Sequence, residues 1–163
     1  MQHHLRFLLG KMRPIQKNDN FRQGLFKPKN PQKYLGKGMP VYRSGWELKF
    51  FRWCDDNPNV LEWASESVII PYVSPIDQKV HRYYTDGIIA IKEQDNIKKY
   101  IIEIKPSKQT VKPENSNRKK MSTKIYEATR YVQNTAKWEA AKKWCEKKGY
   151  KFLILTEKEL GIR

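Results

Sequence analysis

The stretch HRYYTDGIIAIKEQDNIKKYIIEIKPS, residues 81–107, decides how this chain folds. It reads as two strands, His81–Lys92 and Ile97–Lys105, joined by a polar turn at Glu93-Gln94-Asp95-Asn96. Both segments are rich in Ile and Tyr, and the turn residues suit a tight reversal. A hairpin centred on Gln94 and Asp95 places Asp86 directly opposite Glu103, and Tyr84 opposite Lys105. Alternation with a period of two then sets Asp86, Glu103 and Lys105 on one face, beside Ile88 and Ile101. Like charges directly opposed on a sheet repel, so two carboxylates there need a reason, and a divalent cation between them supplies one. A slip of one residue would carry every side chain to the other face, so the inference depends on the turn.

Upstream, Ser44-Gly45-Trp46-Glu47 opens a helix over roughly Ser44–Asp56, with Ser44 as N-cap and Glu47 completing a capping box. Trp46, Phe50, Trp53 and Cys54 form its apolar stripe. Val60–Ala64 and Ser67–Val73 read as short strands, and Pro71 makes the second an edge or a bulge. Downstream, Pro106–Ser122 has no apolar period, and Lys105–Lys124 holds seven Lys or Arg against one Glu. A loop that long in a small domain usually serves function or motion. A helix over about Thr123–Lys148 follows, with Ile125, Ala128, Thr129, Val132, Ala136, Ala140 and Trp144 toward the sheet and Gly149 as its stop. Phe152-Leu153-Ile154-Leu155 reads as a strand buried on both faces, and Glu157–Leu160 as a last helical turn. The order is helix, antiparallel meander of three or four strands, helix, strand. It predicts an α/β (α+β) domain with a mixed central sheet flanked by helices.

With 163 residues, 39% of them apolar and 12% aromatic, the chain suffices for one compact domain. The net charge of +16 points to a polyanionic partner, of which nucleic acid is the commonest. Residues 1–40 hold nine Lys or Arg against Asp19 alone, with four prolines and four glycines. That composition predicts an extended basic arm, followed by a single domain over 41–163. Cys54 and Cys145 make no disulfide framework and read as reduced, buried thiols of a cytosolic protein. The apolar run Leu5–Leu9 is broken by Arg6 and far too short to span a membrane, so no membrane partner is expected.

The chemistry resides in an Asp, sixteen intervening residues, and then Glu-Ile-Lys. Magnesium favours hard oxygen ligands, commonly one or two carboxylates with water and a phosphate. Asp86 and Glu103 supply the carboxylates, and the backbone carbonyl of Ile104 a third oxygen. Lys105 either helps deprotonate a metal-bound water or neutralises the phosphate as charge builds. Alone, Glu-x-Lys is often a solvated strand face. With Asp86 across the strand, Glu47 on a helix upstream and a basic loop downstream, it points to a nuclease. Lys108 and Lys112 in that loop, and Arg43 beside the capping box, are candidate DNA contacts.

The order Glu47, Asp86, Glu103-Ile104-Lys105 resembles the PD-(D/E)XK nuclease superfamily, whose restriction-endonuclease-like core has this helix–meander–helix–strand order. Within it, the chain is similar to the head completion nucleases of T-even-type bacteriophages. The similarity runs through Asn30-Pro31-Gln32-Lys33-Tyr34, Tyr42-Arg43-Ser44-Gly45-Trp46-Glu47 and Pro71-Tyr72-Val73-Ser74-Pro75. It continues through His81-Arg82-Tyr83 and Phe152-Leu153-Ile154-Leu155-Thr156-Glu157. There is also similarity to transposon endonuclease subunits. Thr85, rather than Pro, precedes Asp86, a position at which the superfamily varies.

The resemblance implies that Asp86 and Glu103 bind Mg2+, with Mn2+ as a substitute, and that Lys105 assists hydrolysis. It gives Glu47 a place in the metal site, beside its reading as a helix cap. Asn134 and Lys137 on the long helix are implied as phosphate contacts, and a plain surface lysine remains the other reading of Lys137. The implied substrate is double-stranded DNA or its ends, without base specificity, since phosphate contacts carry no sequence information. The implied role is processing of packaged phage DNA during head completion and head–tail joining. Portal, neck or other head completion proteins would be partners, in the host cytoplasm or the virion. Two rival readings are a non-catalytic DNA-binding head or neck protein on a nuclease-like scaffold, and a repair or junction nuclease of the same superfamily.

Overall fold

A computed structural model describes residues 23–162. In chain order the strands and long helices are β1 (Gly24–Leu25), β2 (Val41–Tyr42), α1 (Gly45–Asp56), β3 (Val60–Ser65), β4 (Ile69–Val73), β5 (Val80–Tyr84), β6 (Gly87–Glu93), β7 (Asn96–Ile104), α2 (Met121–Lys148) and β8 (Lys151–Leu155). The central sheet has the order β3-β6-β7-β8, antiparallel except where β8 runs parallel to β7. It is a mixed sheet with a helix on each face, the expected α+β architecture.

The hairpin forms in the expected register. Gly87 lies opposite Ile102, and the ladder continues without a break to Glu93 opposite Asn96. Alternation along β6 and β7 then divides the core. Ile88, Ala90 and Ile101 face Trp138, Ala141 and Cys145 of α2, whereas Ile89, Tyr100, Ile102 and Ile104 face Phe50, Phe51 and Cys54 of α1. Gly87 lets α1 sit close, because a Cβ there would lie 2.8 Å from Cε1 of the buried Phe50.

Several sequence expectations are corrected. The predicted strand His81–Lys92 is two strands in two sheets, broken at Thr85-Asp86. Thr85 is fully buried and donates its backbone N–H to the Val68 carbonyl, while the Asp86 carbonyl accepts from Glu66 N–H. These bonds turn the chain out of β6, so β4 and β5 form a separate hairpin and the meander is not continuous. Tyr84 consequently pairs with Ile69, not Lys105. Pro71 lies on β4 of this two-stranded hairpin, an edge position as expected.

On α1 the buried stripe is Phe50, Phe51 and Cys54, and Trp53 is exposed. On α2 the buried positions are Asn134, Trp138, Ala141 and Cys145; Ile125, Ala128 and Val132 face outward. The apolar residues of its first three turns therefore do not meet the sheet. Gly149 ends α2 in the left-handed region at φ 72°, and Tyr150 N–H returns to the Cys145 carbonyl, which turns the chain directly into β8. That strand is an edge, not a doubly buried one, and Leu153 on it is 39% exposed. Both cysteines are buried, free thiols.

Of the expected arm, residues 1–22 lie outside the described residues. Residues 24–40 run along the domain: Phe26 and Tyr34 pack against Trp63, and Leu35 N–H bonds to the Trp63 carbonyl. The Asn30-Pro31-Gln32-Lys33-Tyr34 motif caps the end of α1. Asn30 Nδ2 and Lys33 Nζ donate to the Asp55 carbonyl, and Lys33 also reaches the Asn57 carbonyl. Those carbonyls have no partner within the helix, so the motif satisfies them from outside. Among the described residues, no helix is long and apolar enough to cross a membrane.

Candidate active site

The break between β5 and β6 leaves Asp86 just outside the end of β6, beside the end of β7 that carries Glu103. Around them opens a cleft of about 480 Å³, lined among others by Glu47, Tyr83, Asp86, Glu103, Lys105 and Lys137. Glu103 is 4% exposed and accepts two hydrogen bonds, from Lys105 Nζ at 2.9 Å and from the Tyr83 hydroxyl at 2.5 Å. Asp86 Oδ2 accepts the backbone N–H of Ile104 at 2.6 Å. Each carboxylate is therefore oriented from a different direction.

The electrostatics are those of a strained acidic pair. Burial, then the charges of Glu103 and Glu47, push the Asp86 carboxyl well above the usual carboxylate range; Lys105 and the Ile104 N–H oppose them. Burial works against the Lys105 ammonium, but Glu103 and Asp86 outweigh it and hold the lysine above its ordinary value. The Tyr83 phenol is likewise raised, by burial and by Glu103.

Glu47 lines the same cleft, and one half of the expected capping box is present, the other bond being shifted by one residue. Ser44 Oγ accepts the Glu47 N–H at 3.1 Å, while Glu47 Oε2 accepts the backbone N–H of Arg43, one residue before the N-cap. Burial raises its carboxyl too. Among the described residues no three His, Cys, Asp or Glu side chains converge on one point as a ready-made metal cage. The oxygen-only pair of Asp86 and Glu103 nevertheless suits Mg2+, which takes one or two protein carboxylates and completes its shell with water and phosphate.

The expected DNA contacts divide. Lys137 lines the cleft, its Nζ 5.8 Å from the Tyr72 ring centre and 5.7 Å from that of Tyr83. Lys108 is exposed on the short 3-10 turn Ser107–Gln109, whose Gln109 lines the cleft. Lys112 lies elsewhere, in a groove between the basic loop and the outer side of α2. The guanidinium of Arg43 grips the buried Glu66 through Nε at 2.7 Å and Nη2 at 3.0 Å, and its side chain is 11% exposed. Asn134 is buried on the sheet side of α2. His81 pairs with Asp77 at the surface, away from the cleft lining.

Sequence reasoning missed Tyr83 as a site residue. It lay inside the quoted stretch, but reading residues 81–92 as one strand hid the fact that β5 belongs to another sheet and leans its Tyr83 over Glu103. A tyrosine three residues before the acid was the signal, and it was readable only once the break at Thr85 was known.

A profile of the TnsA-like endonuclease N-terminal domain matches residues 57–157. The chain belongs to this family. The TnsA-like span starts at the end of α1 and stops just beyond β8, so it contains Asp86, Glu103, Lys105 and Lys137 but leaves Glu47 outside. The head completion nuclease of enterobacteria phage T4 is 41% identical to this chain over 141 residues, covering 82% of this chain and 90% of the T4 protein.

Proposed function

We propose that this TnsA-like domain is a divalent-metal-dependent DNA nuclease that hydrolyses phosphodiester bonds without base specificity. The observation that carries the reading is the convergence of Asp86, Glu103 and Lys105 in one cleft of a chain with net charge +16. Asp86 and Glu103, with the carbonyl of Ile104, would hold Mg2+ or Mn2+, and Glu47 would stand beside them. The metal would polarise a phosphoryl oxygen and make its bound water acidic enough to attack.

The protein's own groups do the rest. Tyr83 and Ile104 N–H fix the two carboxylates. Lys105 is held as an ammonium by its acidic neighbours, which favours charge neutralisation at the phosphate over proton abstraction. Lys137 and Lys108 would take flanking phosphates. The similarity to the T4 head completion nuclease supports a place in phage head completion, where the enzyme would process packaged DNA before head and tail join. Portal or neck proteins would then be its partners, in the host cytoplasm or the virion.

The test is cleavage of linear and circular double-stranded DNA with Mg2+ or Mn2+, comparing wild type with Lys105→Ala and Asp86→Ala. Metal-dependent cutting by wild type, lost in both variants while DNA binding persists, is the expected result. Attack on the circle identifies endonuclease action. Binding without cutting in wild type, with both variants alike, would replace this reading with a non-catalytic DNA-binding assembly protein.

A further inference from the structure

The first three turns of α2 stand clear of the sheet, with Met121, Ile125, Tyr126 and Val132 all exposed and the buried positions starting at Asn134. At 100° per residue, Tyr126, Arg130, Gln133 and Lys137 fall within about 60° of one another, a single stripe. The inner end of that stripe is at the site: Lys137 lines the cleft and Gln133 Nε2 donates to the Tyr72 hydroxyl at 3.2 Å. The outer end is Tyr126, 61% exposed, with Arg130 bonded to its hydroxyl through Nε at 3.2 Å and its guanidinium carbon 5.5 Å from the ring centre. None of the three acids of α2 lies on this stripe; Glu127 pairs with Lys119 and Glu139 with Lys142.

We infer that Tyr126 and Arg130 form a nucleotide subsite on the helix that walls the cleft. Arg130 takes a backbone phosphate, and Tyr126 stacks on an unpaired base of the same strand. This rests on the nuclease reading of the cleft and adds the substrate class: DNA with unpaired nucleotides a few positions from the phosphate that is cut. An exposed ring on a solvated helix gains nothing from core burial, whereas a base offers it a flat apolar face. Bases inside a duplex have both faces covered by their neighbours, so only an unpaired or terminal base can be met this way. Arginine against the ring holds a planar donor array ready for phosphate. The span is right as well. Eleven residues of helix from Lys137 to Tyr126 cover about 16 Å, and at about 3.4 Å per nucleotide that is roughly five nucleotides.

The test is fluorescence anisotropy on the full chain in EDTA, with a blunt DNA duplex and the same duplex carrying a single-stranded extension. Wild type should favour the extended probe. Tyr126→Ala should weaken that probe by about tenfold while changing the blunt one by less than about twofold. Tyr126→Phe should retain wild-type affinity, because the ring and not the hydroxyl does the stacking. Arg130→Ala should weaken both probes and lower the log–log salt slope by about 1. Equal affinity of wild type for the two probes, no binding at all, equal weakening of both by Tyr126→Ala, or a Phe variant as weak as Ala would overturn the subsite. The measurement needs no metal and no turnover. Tyr126-dependent binding by a protein that cuts nothing refutes the nuclease reading alone, and cutting without preference for the extension refutes the subsite alone.

Discussion

Replacing Asp86 with Asn should abolish cleavage and at the same time make the metal-free protein more stable. The amide is nearly isosteric, and its oxygen can still accept the Ile104 N–H that Asp86 Oδ2 accepts at 2.6 Å. What disappears is the negative charge one step beyond the Gly87–Ile102 pair, facing Glu103. Opposed strand positions set such carboxylates about 6 Å apart. At an effective dielectric constant near 20 their repulsion is about 3 kcal/mol. Lys105, bonded to Glu103, offsets roughly half of it, so the net gain is about 1–2 kcal/mol. In a chain of this size that corresponds to a rise in Tm of about 5 °C.

The pH dependence follows from the direction of the shift. The folded-state pKa of Asp86 is raised, so its penalty grows as pH climbs from the unfolded value and is complete only above the folded one. The Asn variant should therefore exceed wild type by the full margin at high pH and match it in acid. Scanning calorimetry in EDTA across pH measures this directly. Magnesium supplies a second arm, since a ligand at a hundredfold excess over its dissociation constant adds about 2.7 kcal/mol to the protein that binds it. Wild type should gain that and the Asn variant should not. An Asn variant no more stable than wild type in EDTA, or a margin indifferent to pH, would refute the argument that the pair is repulsive.

Three further outcomes follow from particular contacts. Tyr83→Phe removes the 2.5 Å hydrogen bond to Glu103 but leaves the packing, so cleavage should fall about 10- to 100-fold with DNA affinity unchanged, as read in parallel turnover and binding assays. Gly87→Ala puts a Cβ 2.8 Å from Cε1 of Phe50, which is 1% exposed and cannot swing away; urea unfolding should show a loss of about 1–3 kcal/mol. Asp55→Ala deletes the acceptor of the Lys29 and Asn30 backbone N–H groups, two charge-assisted bonds to a buried carboxylate worth about 3 kcal/mol together. Hydrogen exchange at those two amides should quicken with the loss, and unchanged exchange would show that residues 24–40 are held by other means.

The hairpin was legible because its signals agree: Ile-rich strands, a polar four-residue turn and one face that must be buried. Only one register satisfies all three, and Asp86, Glu103 and Lys105 came with it. The break at Thr85-Asp86 was not legible, because Tyr83, Tyr84 and Thr85 favour strand as strongly as the residues after them. What ends β5 is a hydrogen bond from Thr85 to Val68, seventeen residues away in sequence, and no local pattern records it. The helices failed differently. On α2 an apolar stripe from Ile125 to Trp144 has good helical spacing, yet the first three turns extend past the sheet and the buried face is rotated toward Asn134 and Trp138. The Arg43–Glu66 pair was not legible for a related reason: a surface-like Tyr-Arg-Ser context gave no sign that buried Glu66 lay within reach.

Under the proposed metal-dependent reading, the distribution of charge would make the cation a condition of productive binding rather than an accessory to it. The chain as a whole is +16 and draws a polyanion from any direction. In the cleft that excess is cancelled, with Asp86, Glu103 and Glu47 against Arg82, Lys105 and Lys137, and the facing carboxylates of Asp86 and Glu103 form an acidic floor. A phosphate approaching that point meets repulsion from the pair that should hold it. Two regimes follow: without divalent metal the DNA rests on the basic rim, and with metal the acidic floor becomes an attractor for one phosphate. Salt should weaken the first regime steeply, through counterion release from many rim contacts. A cation fixed between the buried Glu103 and the partly buried Asp86 is screened far less. Raising the salt concentration should therefore strip DNA from the metal-free protein well before it suppresses cutting of DNA already seated with metal. Equal salt sensitivity of metal-free binding and single-turnover cleavage would show that the rim, and not the cleft floor, holds the phosphate that is cut.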